Sequence, residues 1–299
     1  MLALEEDKMK LLGRSALITG ATKGLGSEIA RMFVDEGASV YLCSRSQADV
    51  DESIENLSQK ALLQGQKVDG CACDIADTKS VDALVNKALD VFPNLDILVN
   101  NAGIYGPFGT IEKVNWQAWE QAIQVNLMGP IYLSKSLVPH FKARKAGKII
   151  NISGGGATSP MPGISSYAVS KSGFVRFSET LALELQDFGI DVNAIAPGAL
   201  ATRLMDEVIH IGEGVLDPGF VQKMKKIQSD GGTPLSVGGS CAVYFASTES
   251  DKITGRLISA VWDEWETLHE YADELAVSDI YTLRRIVAKD RNKSWGDKD

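Results

Sequence analysis

The sequence predicts an α/β fold, a doubly wound parallel sheet with helices on both faces. Three observations predict it. Short apolar runs of strand length alternate with longer stretches whose apolar residues recur at three and four. The first run, Ser15–Thr19, ends in a glycine-rich turn that opens a helix. Glycine is in excess, 28 of 299 residues, against a usual share of roughly 7%. Strictly alternating strands and helices place the strands parallel, with ligands outside their carboxyl ends.

The elements follow in order. Strand one, Ser15–Thr19, leads into a helix from Gly24 to about Glu36, closed by Gly37. Ser39–Cys43 is a second strand, and Asp49–Gln64, with Ile54, Leu57 and Ala61 suitably spaced, a helix. Lys67–Cys73 is a third strand, Ser80–Phe92 a helix and Asp96–Asn100 a fourth strand. Trp116–Arg144 carries one or two helical segments, with a bend suggested at Pro130. Lys148–Ser153 is a fifth strand, Ser166–Phe188 a long helix and Asp191–Ala196 a sixth strand. Residues 203–235 read as irregular and glycine-rich, Ser236–Ala246 as helical and Arg256–Val261 as a seventh strand. No internal repeat or low-complexity linker interrupts the series. The length allows one large or two modest domains, and this order of elements fits one, residues 1–261. Residues 262–299 form a helical C-terminal extension packing on that domain or on a partner copy.

Composition excludes several roles. The formal charge is −9, from 30 basic and 39 acidic side chains, the wrong sign for nucleic acid. No run of about 18 apolar residues offers a membrane span. The first ten residues carry Glu5, Glu6 and Asp7 and do not read as a signal peptide. Four scattered cysteines make no disulfide framework. Cys71 and Cys73 alternate onto one strand face as small buried residues; with no histidine nearby, no metal is expected. These readings point to a soluble cytoplasmic protein acting on a small molecule.

The run Thr19-Gly20-Ala21-Thr22-Lys23-Gly24-Leu25-Gly26 follows strand one. Gly20 permits the tight turn, Gly24 the approach of a pyrophosphate to the helix N-terminus, and Gly26 close helix–sheet packing. The spacing, Thr-Gly-x-x-x-Gly-x-Gly, resembles that of the short-chain dehydrogenase/reductase family in its basic single-domain, Rossmann-like form. The resemblance covers roughly Leu11–Leu257. It implies a nicotinamide cofactor. Strand two ends in Cys43-Ser44-Arg45, without the carboxylate that would bind the ribose hydroxyls of NAD. Arg45 can hold a 2′-phosphate bidentately and Lys23 adds a second charge, so NADP is expected. The resemblance further assigns Asp74 and Ile75 to the adenine. It assigns Asn101, Ala102 and Gly103, within Asn100–Gly103, to the turn after strand four. Pro197, Gly198 and Thr202 fall on the nicotinamide side.

Tyr167 and Lys171, four apart at the start of a helix, share a face. They match the family's Tyr-x-x-x-Lys pair, in which the tyrosine exchanges a proton with the substrate oxygen and the lysine holds the nicotinamide ribose. A neighbouring ammonium is expected to lower the phenol's pKa from about 10. Asn126 matches the asparagine that supports the proton relay. One position departs. The serine thirteen residues before the tyrosine, which bonds the substrate oxygen, is here Gly154, with Ser153 one place earlier. Losing such a donor typically costs about 2.7–4 kcal/mol. Four possibilities stand: Ser153 reaches the substrate; backbone N–H groups or Thr158 take over; the substrate supplies its own hydroxyl; or the protein binds NADP without catalysis, as a regulator or scaffold.

The family's selectivity comes from the loop after strand six and the C-terminus. Residues 203–232, with Met205, Val208, Ile209, Gly212, Gly214 and Pro218, suit a mobile lid. In the extension, Trp262, Trp265, Leu268, Ala272 and Leu275 recur as an amphipathic helix. Asp263–Asp279 holds seven acids and no Lys or Arg, and Arg284 and Arg285 follow. The extension packs on the fold or an oligomer partner, or closes over a polar substrate with aromatic faces or arginines. The expected activity interconverts a carbonyl and a secondary alcohol on a small polar, carbohydrate-derived metabolite. The family's habit of pairing its long helices, here 115–144 and 166–188, implies a homodimer or homotetramer.

Overall fold

A computed structural model describes residues 9–61 and 63–296; the acidic run at residues 5–7 lies outside the described residues, as do the last three residues of the extension. Seven strands form one sheet: β1 (Ser15–Thr19), β2 (Ser39–Ser44), β3 (Val68–Ala72), β4 (Ile97–Asn100), β5 (Gly147–Ile152), β6 (Ile190–Ala196) and β7 (Leu257–Ser259). Their order is β3-β2-β1-β4-β5-β6-β7, and every neighbouring pair is parallel. The helices are α1 (Gly24–Asp35), α2 (Gln47–Ser58), α3 (Thr78–Val91), α4 (Trp116–Ile123), α5 (Gly129–Arg144), α6 (Ser165–Leu185), α7 (Arg203–Gly212), α8 (Pro218–Ser229), α9 (Leu235–Ala246) and α10 (Ala272–Ala276).

Side chains alternate across the sheet and bury both faces. Ala16, Ile18, Val40, Leu42 and Val99 pack with α1 and α9. Leu17, Tyr41, Leu98, Ile149 and Val192 pack with α3, α5 and α6. All four cysteines are buried and free. Strand order reverses between β1 and β4, so the chain leaves their carboxyl ends in opposite directions and opens a crevice there. Among the described residues no helix is long and apolar enough to cross a membrane.

The structure departs from the sequence expectation in four places. The helix expected over Asp49–Gln64 spans Gln47–Ser58, and residue 62 lies outside the described residues. The bend expected at Pro130 is instead a π-helical turn at Gln124–Met128; Pro130 sits in the first turn of α5, where its missing N–H costs nothing. The 203–235 stretch is not irregular. Met205, Val208, Ile209 and Gly212 line one buried face of α7, and Asp217 caps α8 by accepting from the Phe220 N–H at 2.9 Å. The glycines and Pro218 mark the helix ends rather than a loop.

The extension is the fourth departure. It forms a 3₁₀ segment, Trp265–Tyr271, and the short α10 rather than one amphipathic helix. Trp265, Leu268 and Leu275 are buried in the core beside Tyr244, whereas Trp262 is 85% exposed. The buried guanidinium of Arg256 explains the path. It donates to the carbonyls of Ser278 (3.0 Å), Ile280 (2.7 Å) and Leu275, which a regular helix would keep for itself. The Leu257 N–H donates to the Tyr281 carbonyl at 2.8 Å, so the extension covers the outer edge of β7. Glu179 of α6 accepts from the Leu283 N–H at 2.6 Å. Replacing Arg256 by methionine leaves those carbonyls without a donor and is expected to cost about 1–3 kcal/mol in urea unfolding. Amide exchange at Leu283 should accelerate; retained protection there would show that Arg256 does not staple the extension.

Candidate active site

The glycine turn is built against the end of β4. Gly20 adopts φ +62°, and a Cβ there would lie 3.0 Å from the Ala102 Cα. Thr19 Oγ1 accepts the N–H groups of Asn101 (3.0 Å) and Ala102 (3.1 Å), while Asn101 Nδ2 donates to the carbonyls of Thr19 (2.9 Å) and Gly20 (3.1 Å). At Gly26 a Cβ would sit 2.2 Å from the Gly20 carbonyl oxygen, so α1 meets the turn as closely as backbone allows. Leu25 points into the core and Thr22 is half-buried at the turn. Lys23 at the N-cap gives α1 no side-chain cap. The first-turn N–H groups therefore suit an anion. Gly24, at φ +58°, faces Thr202, whose Cγ2 lies 3.5 Å from the position of a Cβ. A wider residue at Gly24 would narrow this gap between the turn and the start of α7, so the cradle fits a dinucleotide pyrophosphate.

On the adenosine side, Ser44 ends β2 and Arg45 follows it; Arg45 is exposed and forms no ion pair among the described residues. Lys23 is less free than its sequence position implies, because its ammonium pairs with Asp49 of α2 at 2.7 Å. Asp74 is exposed and caps its own turn, accepting from the Ala76 N–H at 3.0 Å; Ile75 beside it is buried. Pro197 packs with Leu25 against Gly238 of α9, and Gly198 stands beside Thr233 and Val261.

The third strand end carries the polar chemistry. Asn126 lies in the π turn and is locked by two bonds to Ile104. Its Oδ1 accepts from the Ile104 N–H at 2.8 Å, and its Nδ2 donates to the Ile104 carbonyl at 2.7 Å. This holds Gly103 so that a Cβ there would be 3.3 Å from Asn126 Oδ1 and 3.7 Å from Lys171 Nζ. Lys171 is buried, donates to the Ile152 carbonyl at 2.8 Å, and lies 5.7 Å from the centroid of the Tyr167 ring. Burial lowers its pKa to about 8.

Tyr167 corrects one expectation. Its phenol is shifted up, not down, first by burial and then by Tyr105. Removal of the ring from water outweighs the neighbouring ammonium, which spends its hydrogen bond on Ile152. The phenol is therefore held protonated. The missing serine also has a steric correlate: a Cβ at Gly154 would lie 2.3 Å from the Tyr167 hydroxyl oxygen. The phenol occupies the space where that side chain would begin. Ser153 stays on the β5 ladder, its N–H donating to the Ile195 carbonyl at 2.8 Å, and its buried hydroxyl has no partner. Asn151, two residues earlier, reaches Ser178 of α6, so strand alternation puts Ser153 on the face that α6 covers. Thr158 is exposed after the 3₁₀ turn Gly155–Ala157.

Two features differ from the sequence reading, the contact of Tyr105 with Tyr167 and the helical form of the segment expected as a mobile lid. Tyr105, two residues past Gly103, lies against Tyr167 with ring centroids 4.7 Å apart. The α7–α8 pair roofs both rings. The roof's signal was present in the three-four spacing from Met205 to Gly212. Of the extension's aromatic and basic groups, Trp262 and Arg285 are exposed. Trp265 is in the core, and Arg284 is paired with Asp279 (2.6 Å) and Asp290 (2.8 Å).

A sequence model described as short chain dehydrogenase matches residues 14–210. The chain is 38% identical over 249 residues to "Dehydrogenase/reductase SDR family member 4" of Caenorhabditis elegans, covering 82% of this chain and 93% of that protein. Among solved structures, an actinorhodin polyketide ketoreductase variant with NADPH superposes with TM-score 0.73 at 27% identity, covering 82% of this chain and 95% of that one. A 7α-hydroxysteroid dehydrogenase with NADH and 7-oxo glycochenodeoxycholic acid superposes with TM-score 0.73 at 28% identity, covering 85% and 94%.

Proposed function

The chain belongs to the short-chain dehydrogenase family and is an oxidoreductase of nicotinamide-cofactor type; from that premise we propose that it uses NADP(H) to interconvert a carbonyl and a secondary alcohol on a small molecule. The observation that carries the reading is the Tyr167–Lys171 pair, with Lys171 buried beside Gly103, together with the uncapped N-terminus of α1, whose glycine turn packs against Ala102. A bound nicotinamide supplies or accepts the hydride. In reduction, Tyr167 gives its retained proton to the substrate oxygen as the carbonyl becomes an alcohol. Lys171 stabilises the phenolate left behind and binds the ribose. Asn126 fixes the Ile104 segment and so the distance between Gly103 and Lys171. Ser153 is the candidate for the second donor, because its buried hydroxyl lacks a partner. The non-catalytic alternative rests on Gly154 alone. The exposed Val169 and Leu183 on α6 support a homodimer or homotetramer.

Coenzyme choice rests on Arg45 more than on Lys23, since Lys23 must leave Asp49 to reach a 2′-phosphate. Arg45→Ala is expected to weaken NADPH about tenfold or more, as hydrogen bonds to charged groups are worth roughly 1.5–3 kcal/mol. NADH binding should be unchanged. Fluorescence titration of both coenzymes checks this; equal affinities in the parent protein, or a parallel loss of both, would sink the NADP assignment.

A further inference from the structure

The C-terminal extension is anchored on the helix that carries Tyr167 and Lys171. Tyr281 takes φ +61°, a left-handed conformation that residues with a side chain rarely adopt, and the chain then meets α6. Two α6 side chains hold Leu283 by its backbone. Glu179 accepts its N–H at 2.6 Å, and the Arg176 guanidinium donates to its carbonyl. Arg176 and Glu179 pair with each other at 2.6 Å. Glu179 is buried, so a carboxylate largely removed from water is committed to one main-chain N–H of the extension. The half-buried Leu283 side chain packs against the group formed by Ala157, Val175 and Ala194, as does Leu257.

Ala157 closes the 3₁₀ turn Gly155–Ala157, which follows the position where the family's serine is missing. The glycines of the same turn meet the reacting group. A Cβ at Gly156 would lie 3.0 Å from the Ala168 Cα and 3.2 Å from Tyr167 Cδ1, and the Tyr167 hydroxyl fills the space beside Gly154. The turn thus touches Tyr167 through its glycines and the extension's cluster through Ala157. Three consecutive glycines leave the backbone more freedom than any other residues would. Ser172 Oγ limits that freedom, lying 3.1 Å from the carbonyls of both Gly156 and Ala157. Ser172, Val175, Arg176 and Glu179 make one stripe of α6 by their three-four spacing. The stripe holds the glycine turn at one end and Leu283 at the other.

We propose that Leu283 is a positioning residue for the reaction: the extension braces the glycine turn, and the turn fixes the Tyr167 hydroxyl. This rests on the oxidoreductase reading of the same site. Leu283 acts through Ala157 and the turn, not on the reacting atoms. With the brace removed, the glycines are free to move away from Tyr167, and the phenol gains room at Gly154. A displaced phenol stands at the wrong distance from the substrate oxygen, and a misplacement of about 1 Å can cost about 10²-fold in rate. The extension is then part of the catalytic scaffold and does more than cover the edge of β7.

The test compares Leu283→Ala, Leu283→Met and Leu268→Ala with the parent, all as full chains. NADPH consumption is followed across a panel of ketones and aldehydes, with coenzyme titration and amide exchange alongside. Leu283→Ala is expected to lower kcat about tenfold while KM and coenzyme affinity stay within about twofold. Amide exchange over residues 154–159 should accelerate in the same variant. Leu283→Met nearly conserves volume and should return kcat to within about twofold of the parent. Leu268 belongs to the same extension but is buried in the cluster with Tyr244 and Trp265, apart from the cluster of Ala157. Leu268→Ala should therefore lower the unfolding midpoint and leave both kcat and exchange at the turn as in the parent. Leu283→Val, a smaller truncation, carries the comparison if alanine unfolds the chain. An unchanged kcat in Leu283→Ala, an equal fall in Leu268→Ala, or no rescue by methionine overturns the proposal and leaves the oxidoreductase reading intact. A parent without turnover, with exchange at the turn accelerated in Leu283→Ala, supports the brace and overturns the oxidoreductase reading. No turnover and unchanged exchange overturns both.

Discussion

Tyr167→Phe is expected to lower kcat by about 10²–10⁴ while coenzyme affinity and thermal stability stay close to those of the parent. The ring keeps its packing against Tyr105 and its place under the α7–α8 roof, so only the hydroxyl is removed. That hydroxyl is the one proton donor that burial holds in its protonated form and that stands at the space left by Gly154. NADPH consumption across a panel of ketones and aldehydes, measured beside a coenzyme titration, checks the result. An unchanged kcat with intact coenzyme binding would remove Tyr167 from the chemistry. It would favour a binding protein that keeps the dinucleotide cradle without the reaction. Ser153→Ala read on the same assay separates the two oxygens, because the buried Ser153 hydroxyl forms no hydrogen bond of its own in the structure.

Much of this site was legible because glycine carries it. Gly20, Gly24 and Gly26 each leave out a side chain that would meet the β4 turn, Thr202 or the turn carbonyl, and such positions show in sequence as spacing. The strands were legible because a sheet buried on both faces writes each strand as an unbroken apolar run. What stayed hidden depends on pairing across distance. Lys23 reads as a free cation until Asp49, 26 residues on, is found beside it. The phenol of Tyr167 reads as acidic beside Lys171 until burial and the Ile152 carbonyl are weighed against that ammonium. The extension reads as a helix because Trp262, Trp265, Leu268 and Leu275 have helical spacing. Arg256 instead captures the carbonyls that such a helix would use. A buried arginine announces itself in sequence no differently from an exposed one. The roof was misread for the opposite reason. Gly212, Gly214, Pro218 and Gly219 cluster at helix ends, and punctuation outweighed the periodic residues between them.

Lys171→Met is expected to abolish activity and, in the coenzyme-free protein, to raise stability. Lys171 is fully enclosed, and its pKa falls to about 8 from the ordinary 10.5 because burial penalises the charged form. Below pH 8 the folded protein carries this ammonium at a cost of about 3 kcal/mol, taking 1.36 kcal/mol per unit. Methionine removes that cost but leaves the Ile152 carbonyl without its donor, worth about 1 kcal/mol. The net gain is therefore about 2 kcal/mol at neutral pH. Between pH 8 and 10.5 the unfolded chain still binds the proton that the folded chain has released. Stability of the parent protein therefore climbs with pH across that window and the advantage of the variant shrinks. Urea unfolding of both proteins at pH 7 and at pH 10 measures this directly. A variant less stable than the parent at pH 7, or a difference that does not shrink towards pH 10, would mean that Lys171 is not held at a cost. The cost is what function requires, since an amine that stabilises a phenolate and grips a ribose must be charged where water is excluded. Coenzyme should reverse the order of stabilities. The parent gains the ribose contacts of Lys171 when NADP is bound and the methionine variant does not, so saturating coenzyme is expected to raise the midpoint of the parent further than that of the variant.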